Sequence, residues 1–225
     1  MEQIREFLIN NCTFVVWGIT LLEVILTILL FTDHNKKHDP MILCMAFLGV
    51  GLCFDALIIG FGGMIMTPIL PLVSRLRFIL HGLCVPLNLA ICGYAIPLYP
   101  KPQRAVWVLT ALLMVAGVAS GVCRVLEQRE LGDVIRFVSA GDKSSWPEII
   151  NTILSYGTVI PVIITGIYVL IKNKTPHIFF AGALMFVFAA LGPATGNTDL
   201  IFVISMFGEL FMLLFYLIYE KRNIE

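Results

Sequence analysis

The chain has 225 residues, of which 59% are apolar and 13% are charged, and its mean hydropathy is +0.93. A soluble globular domain carries about 25% charged residues, so this composition excludes an ordinary soluble protein. Fifteen basic and fifteen acidic residues cancel, so no overall charge favours a nucleic acid, and we expect no nucleic acid partner.

Long apolar runs predict an all-α integral membrane protein, a bundle of seven transmembrane helices that forms one domain over residues 1–225. Six runs exceed the ~18 residues typical of a membrane-spanning helix, and a seventh is borderline. In chain order, the predicted spans cover residues 12–31, 40–66, 71–98, 105–126, 149–171, 178–194 and 200–219. The sixth is the borderline span, because Gly192, Pro193 and Gly196 interrupt its end and only residues 197–199 separate it from the seventh.

Lysine and arginine in the short loops predict the orientation, since cytoplasmic loops carry the excess of positive charge. Lysine and arginine follow spans one, three, five and seven: Lys36, Lys37, Lys101, Arg104, Lys172, Lys174, Lys221 and Arg222. The longer loop after span four also carries Arg129, Arg136 and Lys143, but together with several acidic residues. The loops after spans two and six contain neither lysine nor arginine. This pattern places the N-terminus outside and the C-terminus in the cytoplasm. We expect the protein to lie in the plasma membrane, or in the inner membrane of a cell that has two membranes. The lipid bilayer would surround it, and it would be a monomer or an oligomer.

The loop between spans four and five, residues 127–148, is the longest in the chain. Val134, Ile135, Phe137 and Val138 stand beside charged residues in this loop, which predicts a short amphipathic helix. Such a helix would lie on the membrane or cap the mouth of a cavity. An ordered connector without a function is the alternative.

Ionisable residues inside the predicted spans are the first candidates for functional residues, because each costs at least ~2.5–3.5 kcal/mol to insert. They are Glu23, Asp55, Arg75, Arg77, His81 and Glu209. In span three, the spacing of Arg77, His81, Cys84 and Asn88 predicts one helical face that descends ~16 Å through the membrane.

Polar residues also follow one face of spans one, four and five, which predicts a polar cavity enclosed by four helices. The predicted orientation places most of the charged residues in the outer half of this cavity. Polar side chains also join helices in ordinary bundles, where each hydrogen bond contributes ~0.6 kcal/mol on average. A single carboxylate–arginine pair could serve that structural purpose, and this alternative stays open.

Several site types are excluded by missing residues. Spans six and seven contain no lysine that could bind retinal, and no HExxH, GxSxG or phosphate-loop motif occurs. No Cys/His cluster has metal-ligand spacing, and His81 is the only histidine deep in a span. We therefore expect neither a metal nor a cofactor.

Two functions fit the charged residues. The first is a small transporter or ligand-binding protein whose cavity opens to the outer side and recognises an anionic or zwitterionic small molecule or lipid headgroup. Its ligand-binding residues would be Glu23, Asp55, Arg75, Arg77, His81, Asn88 and Glu209. Glycine and proline residues predict breaks in spans two, three, five and six, as discontinuous transporter helices have.

The alternative is an intramembrane hydrolase or transferase that acts on a phospholipid or lysolipid. Its catalytic residues would be His81 with Asp55 or Glu209 as an acid/base pair, and Arg75 or Arg77 would bind the phosphate. The sequence lacks a nucleophile motif, so it favours the transporter over the enzyme.

Overall fold

The computed structural model describes residues 2–65, 68–97, 100–194 and 200–222. These residues form nine helices and one β-hairpin. In chain order the elements are α1 (Glu2–Asn10), α2 (Cys12–Lys37), α3 (Pro40–Phe61), α4 (Leu70–Cys84), α5 (Leu87–Ala95), α6 (Pro100–Cys123), β1 (Leu126–Leu131), β2 (Val134–Ser139), α7 (Trp146–Asn173), α8 (His177–Ala194) and α9 (Ile201–Arg222).

Six helical segments within these ranges are long and apolar enough to cross a membrane: α2, α3, α4 together with α5, α6, α7 and α9. The chain is therefore a polytopic helical membrane protein, as its hydropathy predicts. Helix α8 is apolar but has 18 residues, which reach ~27 Å against a hydrocarbon core of ~30 Å. The count of seven spans and the orientation stay predictions.

Among the described residues, only one of the predicted breaks divides a span, and it lies at Pro86. Pro86 lacks an N–H and its ring crowds the preceding turn, so α4 ends at Cys84 and α5 begins at Leu87. Helix α7 continues through Pro161 and α8 continues through Pro193. The breaks predicted in spans five and six are therefore wrong at these prolines. Gly62 follows the end of α3 and does not interrupt that helix, whereas Gly196 lies outside the described residues.

Two glycines allow α4 and α6 to pack closely, near the charged residues of α4. A Cβ atom added to Gly82 on α4 would lie 2.5 Å from the carbonyl oxygen of Gly117 on α6. Only residues without a side chain allow two helix backbones this close, and such small-residue contacts are typical of membrane helix pairs. The contact fixes α4 against α6, so the arginines at the same end of both helices become neighbours.

The loop after α6 forms a β-hairpin, and the predicted amphipathic helix is wrong. Strands β1 and β2 pair antiparallel, with Leu131 opposite Val134 at the turn. Gly132 begins the two-residue turn with a φ of +56°, a conformation that glycine adopts without strain. Beyond the hairpin, hydrogen bonds from Ser144 lower the pKa of the exposed Asp142.

The hairpin packs against one end of the bundle, which we call the hairpin end. Leu131 and Val134 are buried in a cluster with Cys12 and Val16 of α2, Ala56 and Ile59 of α3, and Val203 and Met206 of α9. At the opposite end, which we call the lysine end, two ion pairs join α2 to α9. Lys221 Nζ lies 2.7 Å from Asp33 Oδ2, and Lys37 pairs with Glu220. Helices α2 and α9 are therefore fastened at both ends.

Candidate functional site

An ion pair between α3 and α4 is the centre of the charged residues. Arg77 Nε lies 3.2 Å from Asp55 Oδ1, and both side chains are largely buried. The same guanidinium donates a hydrogen bond of 3.1 Å from Nη2 to the carbonyl oxygen of Phe137 on β2. Arg77 therefore links the interior of the bundle to the hairpin. The sequence places Asp55 and Arg77 at similar depth in adjacent spans, and the structure brings them together.

Two further carboxylates approach this pair from α2 and α9. Glu23 is fully buried, and Glu209 is 7% exposed. Glu23 interacts electrostatically with Glu209 and Asp55, and Glu209 interacts with Asp55 and Arg77. Four helices thus contribute charged residues to one region: α2, α3, α4 and α9. We call Glu23, Asp55, Arg77, His81 and Glu209 the charged cluster.

His81 belongs to the charged cluster but forms no catalytic pair with a described carboxylate. It lies one turn after Arg77 on α4 and interacts electrostatically with Asp55, Arg77 and Arg124. Its Nδ1 atom is buried and has no hydrogen-bond partner among the described residues. An acid/base mechanism needs a partner within hydrogen-bond reach of the histidine. The enzyme hypothesis stays a prediction, and this geometry does not favour it.

A second ion pair, which the sequence did not predict, extends the charged residues towards the hairpin. Arg124, which follows α6, lies with Nε 3.6 Å from Oε1 of Glu148 in the first turn of α7. Both guanidiniums lie over the Phe78 ring, with Arg77 Cζ at 4.4 Å and Arg124 Cζ at 4.6 Å from its centroid. Both distances suit cation–π contacts. The aromatic ring thus joins the two ion pairs into one chain of contacts.

The second ion pair also holds the hairpin. Ser139 at the end of β2 donates a short hydrogen bond to Glu148 Oε1. Arg77 holds the same strand through the carbonyl of Phe137. Strand β2 is therefore bound by both ion pairs, and we call these two hydrogen bonds the hairpin latch. The sequence offered one signal for this arrangement, since Arg124 and Glu148 flank the longest loop with opposite charges.

The structure places two predicted ligand-binding residues outside the charged cluster. Arg75 is partly exposed, and its Nη1 donates a hydrogen bond of 2.5 Å to the carbonyl oxygen of Val122 on α6. Asn88 lies on α5, beyond the break at Pro86, and its Oδ1 accepts a 2.7 Å hydrogen bond from the Tyr216 hydroxyl. No described contact joins either residue to Asp55 or Arg77.

The charged cluster and the Arg124–Glu148 ion pair together form the candidate site. Within the described ranges, no group of three or more His, Cys, Asp or Glu side chains could hold a metal ion. Neither a protein-family model nor a curated protein matches the chain, so the candidate site stands on its own geometry. It combines guanidiniums that are paired near the hairpin with two carboxylates deeper in the bundle, Glu23 and Glu209, that have no ion-pair partner among the described residues.

Proposed function

We propose that the chain is a small membrane transporter whose charged cluster binds a zwitterionic small molecule. One observation carries this proposal: charged residues of four membrane-crossing helices act on one another electrostatically around the Asp55–Arg77 ion pair, and Arg77 also holds the hairpin that packs on the end of the bundle. An ionisable residue inside a membrane is costly and is retained where it binds, pairs or transports a charged species. A single structural ion pair would explain Asp55 and Arg77 but would leave Glu23 and Glu209 unexplained.

The balance of charges favours a zwitterion over a simple anion. Arg77 and Arg124 each have a carboxylate partner already, whereas Glu23 and Glu209 have no cationic partner of their own among the described ion pairs. A ligand with both signs of charge would place its carboxylate or phosphate at the arginines and its ammonium at the carboxylates. Neither charge of the ligand would then be buried without an opposite charge beside it, which is the condition for burying charge cheaply.

Transport requires that the site open to one side of the membrane at a time. The hairpin latch closes the hairpin end, and the ion pairs Lys37–Glu220 and Lys221–Asp33 close the lysine end. The hydrogen bonds of the hairpin latch and the ion pairs of the lysine end can break and re-form without unfolding any helix. We assign the hairpin as the outer gate and the two lysine pairs as the inner gate of this transporter.

A ligand panel tests the proposed function. We expect the melting temperature of the purified protein in detergent to rise with zwitterions and not with simple anions or cations. The panel contains amino acids and phosphoethanolamine as zwitterions, dicarboxylates as anions, and alkylammonium ions as cations. A ligand at 100 times its Kd stabilises the folded state by about 2.7 kcal/mol. A zwitterion that passes this screen is then tested for uptake into proteoliposomes.

Stabilisation by dicarboxylates alone would show that the site recognises anions and would contradict the zwitterion. Binding without uptake would identify a receptor or binding protein in place of a transporter. Hydrolysis of phospholipid or lysolipid by the pure protein, lost on His81→Asn, would establish the enzyme instead.

The orientation that makes the hairpin external can be tested with a natural cysteine. Cys123 is exposed at the hairpin end, so a membrane-impermeant maleimide should label it on intact cells. In a Cys123→Ser background, Lys36→Cys at the exposed lysine end should label only after the cells are permeabilised. If the Lys36→Cys variant is labelled on intact cells, and Cys123 of the natural protein is not, the orientation is opposite to the predicted one.

A further inference from the structure

A cavity between α5, α6 and α7 is lined almost entirely by apolar groups. It has a volume of about 180 Å³ and is bounded by Cys92 and Gly93 of α5, Val106 and Leu109 of α6, and Pro161 of α7. Gly93 contributes no side chain to fill it, and a Cβ atom there would lie only 3.0 Å from Cγ1 of Val106. An apolar cavity of about 150 Å³ in another protein stays dry and binds benzene. An apolar group is therefore the ligand that this cavity can take.

The cavity opens towards the lipid-facing surface. Leu109 lines it and is also 50% exposed. Further exposed apolar side chains flank it on α6 and α7: Val108, Leu112, Ile160 and Ile164. Exposed apolar surface on a membrane-crossing helix faces the hydrocarbon of the bilayer. Pockets for drug-sized ligands have volumes of about 300–1,000 Å³, so this smaller cavity accommodates part of one acyl chain.

A buried amide donor lies at one end of the cavity. A Cβ atom on Gly93 would lie 3.1 Å from Oε1 and 3.3 Å from Nε2 of Gln103. The Nε2 atom is buried and has no hydrogen-bond partner among the described residues. Most buried polar groups have such a partner, so this donor is available to an acceptor on a ligand in the cavity.

The depth of Gln103 suits the ester carbonyl of a phospholipid. Helix α6 begins at Pro100 at the lysine end, and Gln103 lies within its first turn. Nearby, Trp107 Nε1 donates a 3.0 Å hydrogen bond to the Tyr94 hydroxyl, and both residue types are typical of the membrane–water interface. The ester carbonyls of phospholipids lie at this interface, between the headgroups and the acyl chains. From Gln103 to Leu109, α6 rises about 9 Å along the cavity towards the centre of the bilayer.

We propose that this cavity binds one acyl chain of a phospholipid from the leaflet at the lysine end, and that Gln103 Nε2 donates a hydrogen bond to the ester carbonyl of that chain. The chain passes from Gln103 along Val106 to Leu109 and fills the space that Gly93 leaves. It also joins the short helix α5 to α6 and α7. This inference is independent of the proposed function, because no residue of the charged cluster lines the cavity.

Photolabelling with a pair of phospholipids tests the site. The purified protein is reconstituted into phosphatidylcholine vesicles with a trace of phosphatidylcholine that carries a diazirine in one chain. That chain is linked by an ester in one probe and by an ether, which lacks the carbonyl acceptor, in the other. We expect the ester probe to label Cys92 and Val106 roughly fivefold more than the ether probe, the preference that one hydrogen bond of typical strength gives. Both probes should label Ile171 equally, since it is 67% exposed near the lysine end of α7.

Two variants assign the preference to named residues, with labelled sites mapped by mass spectrometry of peptides. Gln103→Met retains the length of the side chain but removes the amide, so the two probes should label Cys92 equally. Gly93→Leu fills the cavity and should abolish labelling of Cys92 by both probes. Gly18→Leu on α2 is the matched control, because a Cβ atom there meets nothing within 4 Å, and it should leave labelling of Cys92 unchanged.

The natural protein decides the result even if a variant does not fold. Equal labelling of Cys92 by the ester and ether probes would show an ordinary lipid contact and overturn the hydrogen-bonded chain. Labelling of Ile171 without labelling of Cys92 or Val106 would show that the cavity is closed to lipid. A diazirine fatty acid that labels Cys92 more strongly than either phospholipid would identify a free fatty acid as the occupant and contradict the proposal.

Discussion

Replacing Arg77 with methionine is expected to weaken binding of the zwitterion by roughly 100-fold or more and to lower the melting temperature. The change removes the partner of Asp55 and the donor to the Phe137 carbonyl while retaining most of the apolar stem. Breaking a buried ion pair on one side costs about 3–5 kcal/mol, because the remaining charge stays uncompensated, and each 1.4 kcal/mol corresponds to a factor of ten. Melting curves and ligand titrations measure both effects.

A double variant separates the binding role of the pair from a structural one. Arg77→Met with Asp55→Leu removes both charges, so we expect it to recover most of the lost stability but none of the binding. Arg104→Met, which replaces an exposed arginine at the start of α6, is the matched control and should change neither property. A double variant that is both stable and active would show that Asp55 and Arg77 only join α3 to α4.

The membrane-crossing helices could be predicted from the sequence because burial in lipid imposes long apolar runs. Helices α7 (Trp146–Asn173) and α9 (Ile201–Arg222) begin and end within three residues of the predicted spans, whereas α2 ends six residues later and α3 five residues earlier than predicted. The pairing of Asp55 with Arg77 was also predictable. Burying either charged side chain in a membrane costs free energy, and an ion pair between them lowers that cost. The two residues also lie in consecutive antiparallel spans.

The hairpin could not be predicted in the same way. Val134, Ile135, Phe137 and Val138 form a short apolar run, and periodicity alone cannot assign such a run to a helix or a strand. The β-branched residues and the Gly132-Asp133 turn were the signals for a hairpin. They were outweighed by the expectation that a charged and apolar segment beside a membrane lies on it as a helix.

Contacts that depend on tertiary packing could not be predicted from the sequence either. Arg77 and Asn88 share a face on an ideal helix, but the break at Pro86 begins a new helix and Asn88 bonds to Tyr216 instead. Arg124 and Glu148 are separated by 24 positions, and they come into reach because α6 packs against α7, where Ser120 donates a hydrogen bond to the carbonyl oxygen of Pro147. The spacing of residues in the sequence predicts which side chains share a face only within one unbroken helix.

Displacement of the hairpin from the bundle should strongly raise the reactivity of the Cys12 thiol, which lies beneath it. Cys12 is 1% exposed and lies in the cluster beneath Leu131 and Val134. A Cβ atom at Gly62, just after α3, would collide with the carbonyl oxygen of Ile135 on β2. Gly62→Val must therefore displace the hairpin, at the ~1–3 kcal/mol typical of overpacking.

We expect Gly62→Val to speed modification of Cys12 by an impermeant maleimide about 10- to 100-fold, measured in a Cys123→Ser background. This range follows from the overpacking cost, since each 1.4 kcal/mol shifts the open fraction tenfold. Gly18→Val on α2 is the control, because a Cβ atom there meets nothing within 4 Å. On the proposal that the hairpin is the outer gate, the variant should bind solute but fail to concentrate it in proteoliposomes. A folded Gly62→Val protein with protected Cys12 and normal uptake would show that the hairpin does not gate the site.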